Sequence, residues 1–365
     1  MTIYNPLLDL PAFPADRYAS LADRLKLLLS TVNDVVFVQA EAILALEAAA
    51  ASLGRPGMIA VNVVTSPYGD LFGQWLRRAG ASVVDVTAPA GRPIEIDAVT
   101  LALDGLPRAD LVSVVHAETS SGIVNPLLEI AAAVRARGAL LVVDAVASFG
   151  GHALNVGALG IDVCVTGPQK AIGGPAGLSI ASVSPRAWAA MMHDARPTPS
   201  SLSLLDLKTN WLDRDRGPVP GMPSALEFWA LEAALSRVEA ETLPALIVRH
   251  QRAMHATRAG LVGLGVQPWV IDEARASTLA TAAPVPLGIN ADALITAARD
   301  FGVVLSPGFG EIRDRLVRLD HTGPRATFAT VLANVSAYGA SLQRLGVAVD
   351  TAAAAYAATQ RYAAR

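Results

Sequence analysis

The sequence has 365 residues, 52% of them hydrophobic and 17% charged, and a formal net charge of −3. This length supports a large core and suggests two domains, and the absence of a basic patch argues against a nucleic-acid partner. No apolar run is long and uncharged enough to predict a membrane span, and Met1–Pro6 lacks the features of a secretory signal. A single cysteine, Cys164, excludes an internal disulfide and fits a reducing compartment, so we expect a cytoplasmic protein.

Strands and helices alternate in the first half of the chain. The pattern predicts helices at Glu41–Leu53, Gly69–Ala79 and Pro126–Arg137, and strands at Met58–Val64, Ser82–Val86, Leu111–His116, Ala139–Asp144, Ile161–Val165 and Leu178–Val183. Such alternation is typical of an α/β fold with a mostly parallel central sheet covered by helices. Because ligands bind beyond the carboxyl ends of parallel strands, we expect the site near Tyr68, His116–Gly122, Asp144 and Lys170.

The second half begins with Pro197–Pro223, which has little periodicity and is interpreted as an excursion over the surface or into a partner subunit. Helices are predicted at Ser224–Glu239 and Pro244–Leu264. Strands and helices alternate again as far as about Leu345, and a last helix is predicted at Val349–Arg365. We therefore divide the chain into a large domain at residues 1–243 and a smaller C-terminal α/β domain at residues 244–365.

Lys170 lies in the Gly/Pro-rich segment Thr166–Gly177, between two apolar runs that predict buried strands. A lysine held there is partly desolvated, and burial favours a neutral amine, which attacks aldehydes. Taken alone, such a segment is more often a surface turn. Asp144 at the end of an earlier strand favours a site, although an aspartate in that place also serves as a helix cap or turn residue.

Four segments carry a resemblance to a known family: Leu140–Gly151, Gly160–Lys170, His116–Gly122 and Leu316–Gly323. Together they closely resemble the class V pyridoxal-phosphate aminotransferases of fold type I. The similarity is to the alanine–glyoxylate/serine–pyruvate branch and to the pyridoxamine–pyruvate transaminase branch. It extends from about Val35 to Leu345, and it implies a homodimer whose active site is shared between subunits.

The resemblance assigns the reacting groups. It implies that Lys170 forms the Schiff base with the cofactor and moves a proton between the substrate Cα and the cofactor. It implies that Asp144 pairs with the protonated pyridine nitrogen, which keeps the ring an electron sink. Tyr68 and Val146 are implied to cover opposite faces of the ring, although Tyr68 also fits a turn residue beside Pro67 and Val146 an ordinary core position.

Three further residues have roles implied by the resemblance. Thr119 is placed near the phenolic oxygen of the cofactor, Gln169 is placed to donate to its phosphate, and Arg318 binds the substrate α-carboxylate through two hydrogen bonds. A loop-stabilising hydroxyl and a surface arginine are the alternatives for Thr119 and Arg318. His116 and Glu118 are interpreted as shaping their turn rather than as catalysts.

The expected phosphate cup departs from the alanine–glyoxylate pattern, in which small residues at a helix N-terminus present backbone N–H groups. Glu41 stands there, and its carboxylate would repel a phosphate that carries close to two negative charges. Alternatively, Glu41 only complements the helix dipole. The pyridoxamine–pyruvate branch resembles the chain here, with a glutamate in the cup. That branch takes the unphosphorylated vitamin as a substrate, so the acid accepts a hydroxyl group there. We therefore expect pyridoxal 5′-phosphate as cofactor, or unphosphorylated pyridoxal or pyridoxamine as substrate.

Other departures concern the rim of the site. Val219 and Met222 stand where the family has a tyrosine and a threonine that reach the phosphate of a partner subunit. Phe309 replaces an arginine that the pyridoxamine–pyruvate branch uses, and the N-terminal segment lacks the Gly-Pro-containing entry loop of that branch. These changes indicate another substrate or reduced activity.

We predict a transaminase that moves an amino group from a small amino donor to a small 2-oxo acid, pyruvate or glyoxylate. One alternative is a class V lyase such as a cysteine desulfurase, but that chemistry needs a cysteine on a mobile loop, and Cys164 lies in a predicted buried strand. A non-catalytic binder that retains the fold is the other alternative. The six histidines show no metal-ligand spacing, and Asp320-His321 is interpreted as an exposed loop pair.

Overall fold

The first half of the chain forms nine strands in a computed structural model that describes residues 10–192 and 200–364. They are β1 (Asp34–Val38), β2 (Ile59–Val64), β3 (Ser82–Thr87), β4 (Leu111–Val115), β5 (Ala117–Glu118), β6 (Ile123–Val124), β7 (Leu140–Asp144), β8 (Val163–Thr166) and β9 (Ser179–Val183). Seven of them make one sheet in the order β1-β9-β8-β7-β4-β2-β3, while β5 and β6 form a hairpin.

The large sheet is mostly parallel, which confirms the prediction from alternation. Strands β2, β3, β4, β7 and β8 pair in parallel. Strand β9 runs antiparallel to both of its neighbours, β1 and β8. The apolar strands β4, β7, β8 and β9 are buried along their whole length, as expected for strands covered on both faces.

Helices cover the sheet and connect its strands. In the first half they are α1 (Arg17–Leu28), α2 (Ala42–Leu53), α3 (Pro67–Arg78), α4 (Ile96–Asp104), α5 (Leu127–Ala136), α6 (Val156–Leu159) and α7 (Pro185–Met191). In the second half they are α8 (Leu204–Leu207), α9 (Ala225–Glu241), α10 (Leu243–Gly263), α11 (Ala291–Asp300), α12 (Phe328–Arg344) and α13 (Thr351–Ala363).

A second sheet lies in the C-terminal part. Its strands are β10 (Ala280–Pro284), β11 (Ser306–Pro307) and β12 (Leu316–Asp320), in the order β10-β12-β11. It has a hydrophobic cluster of its own, which includes Leu261, Leu319 and Tyr338, whereas the cluster around the large sheet includes Phe37 and Trp211. The domain division at residues 243 and 244 stays a prediction, and α10 begins at that point.

The segment Pro197–Pro223 is more ordered than its composition predicts. From residue 200 onwards it contains α8 and a π-helical turn at Lys208–Leu212, which together bury Leu204 and Trp211. These short helices were not predicted, and the interpretation as an excursion over the surface or into a partner subunit stays a prediction. Residues 197–199 lie outside the described residues, as do Met1–Pro6 and Arg365.

The interpretation of Asp320-His321 as an exposed pair was also wrong. His321 is fully buried, and its Nε2 lies 2.9 Å from Thr281 Oγ1. It follows β12 directly, and its backbone N–H donates to Leu279 at 3.1 Å. Within the described ranges, none of the helices is long and apolar enough to cross a membrane.

Candidate active site

A cavity of about 80 Å³ opens at the carboxyl ends of the parallel strands. It brings together six of the predicted site residues: Glu41, Tyr68, Thr119, Asp144, Val146 and Lys170. They come from the start of α2, the start of α3, the turn after β5, the end of β7 and the turn after β8. The topology thus assembles distant segments, as expected at the carboxyl edge of a parallel sheet.

Lys170 is half-buried in a tight turn after β8. Its Nζ donates to Thr119 Oγ1 at 3.3 Å, and its carbonyl accepts from the N–H of Gly173 at 3.1 Å. Gly323 packs against the same carbonyl with a φ of +59°, and a Cβ there would lie 2.7 Å from the oxygen. The backbone of Gly323 is held in turn by His250 and Arg249 of α10. The lysine turn therefore follows β8 of the large sheet and packs against the segment that follows β12 of the second sheet.

Asp144 ends β7 as a buried carboxyl. Its Oδ1 accepts from the Val146 N–H at 2.9 Å. Burial raises the pKa of Asp144 to about 6, with a smaller contribution from the Glu41 carboxylate, while the Val146 N–H and Lys170 act in the opposite direction. A buried carboxyl without a salt bridge is stabilised as an anion when a cation enters the cavity. This is the property that a partner of a pyridinium N–H needs.

Tyr68 and Val146 line the cavity from different walls. Ser66 caps α3 by accepting from the Tyr68 N–H at 3.2 Å, which fixes the first turn that carries the ring. Burial raises the pKa of Tyr68, and the carboxylates of Glu41 and Glu118 add to this effect. The ring is therefore a neutral phenol, 44% exposed, at the mouth of an acidic cavity.

Glu41 is the N-cap of α2, which is the position that the helix-dipole interpretation requires. Its Oε2 accepts from the Ile43 N–H at 2.9 Å, and its Oε1 accepts from Gln169 Nε2 at 2.9 Å. The carboxylate therefore takes the two donors that a phosphate would need there. Among the described residues, Gln169 Oε1 is buried without a hydrogen-bond partner. The pair of Glu41 and Gln169 therefore presents oxygen acceptors, and the predicted role of Gln169 as a donor to a phosphate stays a prediction.

Arg318 lies on β12, half-buried, at the side of the cavity where Tyr68 stands. Its Nε donates to the Pro307 carbonyl at 3.1 Å, and burial lowers its pKa, with Asp320 and Tyr68 acting in the opposite direction. Its neighbours on the chain point elsewhere. Arg313 pairs on the surface with Asp292 and Asp314. Arg318 is near enough to Tyr68 for the two to interact electrostatically, but it is not among the residues that line the cavity.

The sequence interpretation missed Glu118 as part of the cavity. It was taken to shape its turn, yet it is 2% exposed and lines the same cavity as Lys170. Burial raises its pKa to about 8. His116 is buried too, and burial lowers its pKa to about 4, so it is neutral. The sequence signal for Glu118 was its place directly before Thr119 in a turn that follows a buried strand.

The residues predicted at the rim of the site differ in how exposed their side chains are. Val219 is buried in the core of its own subunit, whereas Met222 is 96% exposed and Phe309 is 57% exposed. Cys164 lies within β8, and burial raises its pKa far above the usual value of a thiol. A buried thiol in a strand is a poor nucleophile, which argues against desulfurase chemistry.

The residues present fit one part of a pyridoxal-type molecule and not another. A lysine amine, a buried carboxyl and an aromatic side chain in one cavity suit the ring and its aldehyde carbon. A phosphate ester does not suit the cup, because Glu41 occupies the donors and the orphaned Gln169 Oε1 needs a hydrogen that a phosphate dianion lacks. A hydroxymethyl group supplies such a hydrogen.

The sequence is similar to a known family of enzymes. The sequence profile of the family described as Aminotransferase class-V matches residues 24–278. The chain is 37% identical over 338 residues to a pyridoxamine–pyruvate transaminase of Mesorhizobium japonicum, covering 92% of this chain and 85% of that protein. It is 27% identical to an alanine–glyoxylate aminotransferase of Drosophila melanogaster, covering 89% of this chain and 84% of that protein.

Among solved structures, the fold is similar to that of pyridoxamine–pyruvate aminotransferase from Mesorhizobium loti. The TM-score is 0.90 at 35% sequence identity, and the alignment covers 99% of this chain and 91% of that one. Because both sheets are included in a match of this extent, the whole architecture is shared rather than the large sheet alone.

Proposed function

The chain belongs to the class-V aminotransferase family, and from that premise we propose that it transfers the amino group of unphosphorylated pyridoxamine to pyruvate. The family depends on pyridoxal phosphate, and its members here transfer amino groups to pyruvate or glyoxylate. The proposal adds that the vitamin is bound without its phosphate and leaves as pyridoxal, so that it is a substrate instead of a resident cofactor.

The observation that supports it is the hydrogen bonding of Glu41. Both carboxylate oxygens are engaged by donors, Ile43 N–H and Gln169 Nε2, at 2.9 Å each. A phosphate placed there would lose these donors and meet a negative charge. A hydroxymethyl group carries no charge and can donate to Glu41 or to Gln169 Oε1. The pyridoxamine–pyruvate relative at 37% identity points to the same chemistry.

The charges around the cavity fit this choice. Glu41, Glu118 and Asp144 are three carboxyls near one lysine and one arginine. Pyridoxamine brings a ring nitrogen and an amine that both accept protons, so it adds positive charge to an acidic site. Its phosphate ester would add about two negative charges instead.

Pyridoxal and pyridoxamine supply a carbon that exchanges an amine with an aldehyde, and a ring that withdraws electrons. We assign Lys170 Nζ as the nucleophile toward the aldehyde and as the base that takes the proton from the substrate carbon, with Thr119 3.3 Å away to orient it. Asp144 holds the ring nitrogen, and Tyr68 and Val146 bound the ring. Arg318 binds the carboxylate of the 2-oxo acid.

We also propose a cytoplasmic homodimer. Met222 is 96% exposed. Tyr68, which lines the cavity, and Leu226 are 44% and 43% exposed. The segment that carries Met222 is anchored to the cavity side through Gln39, whose Nε2 donates to the Pro220 carbonyl at 2.9 Å. A second copy covering these side chains would complete the wall of the site. Sedimentation of the purified protein tests this.

Turnover tests the proposed function. The protein is incubated with pyruvate and either pyridoxamine or pyridoxamine 5′-phosphate, and alanine and the aldehyde are measured. We expect turnover of the unphosphorylated amine, and none in Lys170→Ala. Equal or better turnover of the phosphate ester would instead assign a conventional phosphate-dependent aminotransferase, and no turnover with any amine would assign a binder.

A second measurement checks the lysine itself. Pyridoxal added to the wild-type protein should give an absorbance band near the visible edge, which is absent in Lys170→Ala. Cys164→Ala is a control for the loss of a buried side chain in β8, the strand before Lys170, and it should retain both the band and the turnover. Persistence of the band in Lys170→Ala would contradict the lysine assignment.

A further inference from the structure

Glu118 is a carboxyl that the roles above leave unused. It is 2% exposed, yet it lines the reaction cavity together with Lys170 and Asp144. The lysine amine makes its hydrogen bond to Thr119, not to Glu118. A buried acid at a reacting centre costs stability unless it is protonated or paired, so its presence calls for a function.

The hydrogen bonds around Glu118 have a fixed direction. Asn125 accepts from a backbone N–H at 2.9 Å, so its Nδ2 is the atom that donates to Thr65 Oγ1 at 2.9 Å. Thr65 Oγ1 must then donate its own hydrogen to Glu118 Oε1, 3.1 Å away. Ser66 Oγ accepts from the Tyr68 N–H at 3.2 Å, at the start of α3. The Thr65 hydroxyl therefore directs its single hydrogen at the carboxyl.

A proton on Glu118 is thus available to the cavity. Thr65 acts as a donor and leaves that proton without an acceptor on its side. Burial raises the pKa of Glu118 to about 8, and the Asp144 carboxylate adds to this, while the hydroxyls of Ser66 and Thr65 and the Lys170 amine act against it. Within the described residues Glu118 makes no salt bridge, and a carboxyl buried without a cation favours its protonated form.

We propose that Glu118 is the general acid that protonates the carbonyl oxygen of the 2-oxo acid as this oxygen leaves as water. In transamination the nitrogen lone pair of the donor amine forms a C–N bond, and the C–O bond breaks with its electron pair on oxygen. The oxygen needs two protons, and the amine nitrogen loses two. One passes from the nitrogen to the oxygen as the C–N bond forms. Glu118 gives the other to the oxygen as the C–O bond breaks and takes back the remaining proton from the nitrogen, so it ends each turnover unchanged.

The role of Glu118 rests on the proposed function only in that pyridoxamine is taken as the amino donor. Lys170 handles the carbon-bound proton, on the Thr119 side of the cavity. The charged or titratable groups on the elements packed around Glu118 are Asp144, Lys170, Tyr68, Glu41, Arg318 and the neutral His116. Asp144 ionises below neutral pH, so Glu118 is the carboxyl of this set that carries a proton near pH 7.

Glu118→Gln is the isosteric test, because the amide accepts the same hydrogen bonds but cannot serve as an acid. We expect turnover to fall by roughly 100-fold or more, within the range typical of general acids. Wild-type turnover should decline above about pH 8, and this alkaline limb should disappear in the variant. Thr65→Val removes a hydrogen bond that favours the anion, so it should move the limb to higher pH.

Two readouts separate this role from a structural one. In D₂O, exchange of the Cα hydrogen of alanine in the presence of pyridoxal depends on Lys170, so it should be kept in Glu118→Gln. The infrared spectrum of the unliganded protein should show a protonated carboxyl at pH 7 that is lost above about pH 8 and is absent in Glu118→Gln. Asp144→Asn is the control that should retain this band.

Full turnover in Glu118→Gln, an unmoved alkaline limb, or no protonated carboxyl in the infrared spectrum would each overturn the proposal. If wild-type protein uses alanine and glyoxylate but not pyridoxamine, the proposed function fails and the same comparison is made with that pair. The infrared result does not depend on either substrate, so the two failures are distinguishable.

Discussion

Replacing Glu41 by glutamine should change which form of the vitamin the protein binds. Two unit charges 4 Å apart interact by about 1 kcal/mol in water and by about 4 kcal/mol near a protein surface. A phosphate beside Glu41 carries close to two charges, and Glu41 is exposed, so the lower limit applies. The repulsion is then about 2 kcal/mol, or roughly 30-fold in affinity. Glutamine keeps a carbonyl oxygen that can still cap Ile43 N–H.

The assay is a titration of wild-type protein and Glu41→Gln with pyridoxal and with pyridoxal 5′-phosphate, followed by absorbance. We expect the wild-type protein to favour pyridoxal, and the ratio of the two affinities to move by roughly 30-fold toward the phosphate in the variant. Added salt should weaken the wild-type preference, since exposed charges are screened.

Glu47→Gln provides a matched control, because this carboxylate lies on the same helix but pairs with Arg78 outside the cavity. Its affinity ratio should equal that of the wild-type protein. The reasoning is refuted if Glu41→Gln leaves the ratio unchanged, or if the wild-type protein binds both forms equally well.

Three further outcomes follow from the structure. His152 and His250 are buried, and burial lowers their pKa values to about 3 and 4. Both imidazoles stay neutral in the folded protein but take up protons on unfolding below about pH 6.5. The free energy of unfolding should therefore fall on acidification below about pH 6.5, by up to about 1.4 kcal/mol per pH unit for each residue. Urea unfolding between pH 8 and pH 5 measures this, and a flat profile would contradict it. Arg318→Ala should raise KM for the 2-oxo acid by about 10- to 100-fold through the loss of a charge-assisted hydrogen bond, whereas surface Arg313→Ala should not. Gly323→Ala should cost about 1–3 kcal/mol in urea unfolding and weaken pyridoxal binding, because φ is +59° and the new Cβ meets the Lys170 carbonyl; unchanged binding would show that this contact does not position the lysine.

Much of the fold could be predicted because its signals are local. The helix predicted at Glu41–Leu53 is observed at Ala42–Leu53 with Glu41 as its cap, and the strand that ends at Asp144 ends there. The reversed direction of β9 and the helices α1 and α4 were not predicted. Strand direction depends on how the chain returns across the sheet, which periodicity does not encode.

The candidate site was predictable where a residue acts by its type and its place after a strand. Lys170, Asp144 and Tyr68 meet in one cavity because parallel strands end at one edge of the sheet. The hydrogen bond between Gln169 and Glu41 was not predicted, because the two residues are 128 positions apart in the chain. Glu118 was undervalued because burial on all sides, which raises its pKa, is invisible in a seven-residue turn.

The sequence by itself determined the α/β alternation, the lysine turn and the family resemblance, since propensity, capping and motif spacing act over a few residues. Only the tertiary structure decided what each polar group faces. It engaged the Glu41 carboxylate with Gln169 and Ile43, buried Glu118 beside the Thr65 hydroxyl, which donates to it, and set Gly323 against the Lys170 carbonyl. Charge and hydrogen-bond balance depend on distances between segments far apart in the chain, and folding sets those distances.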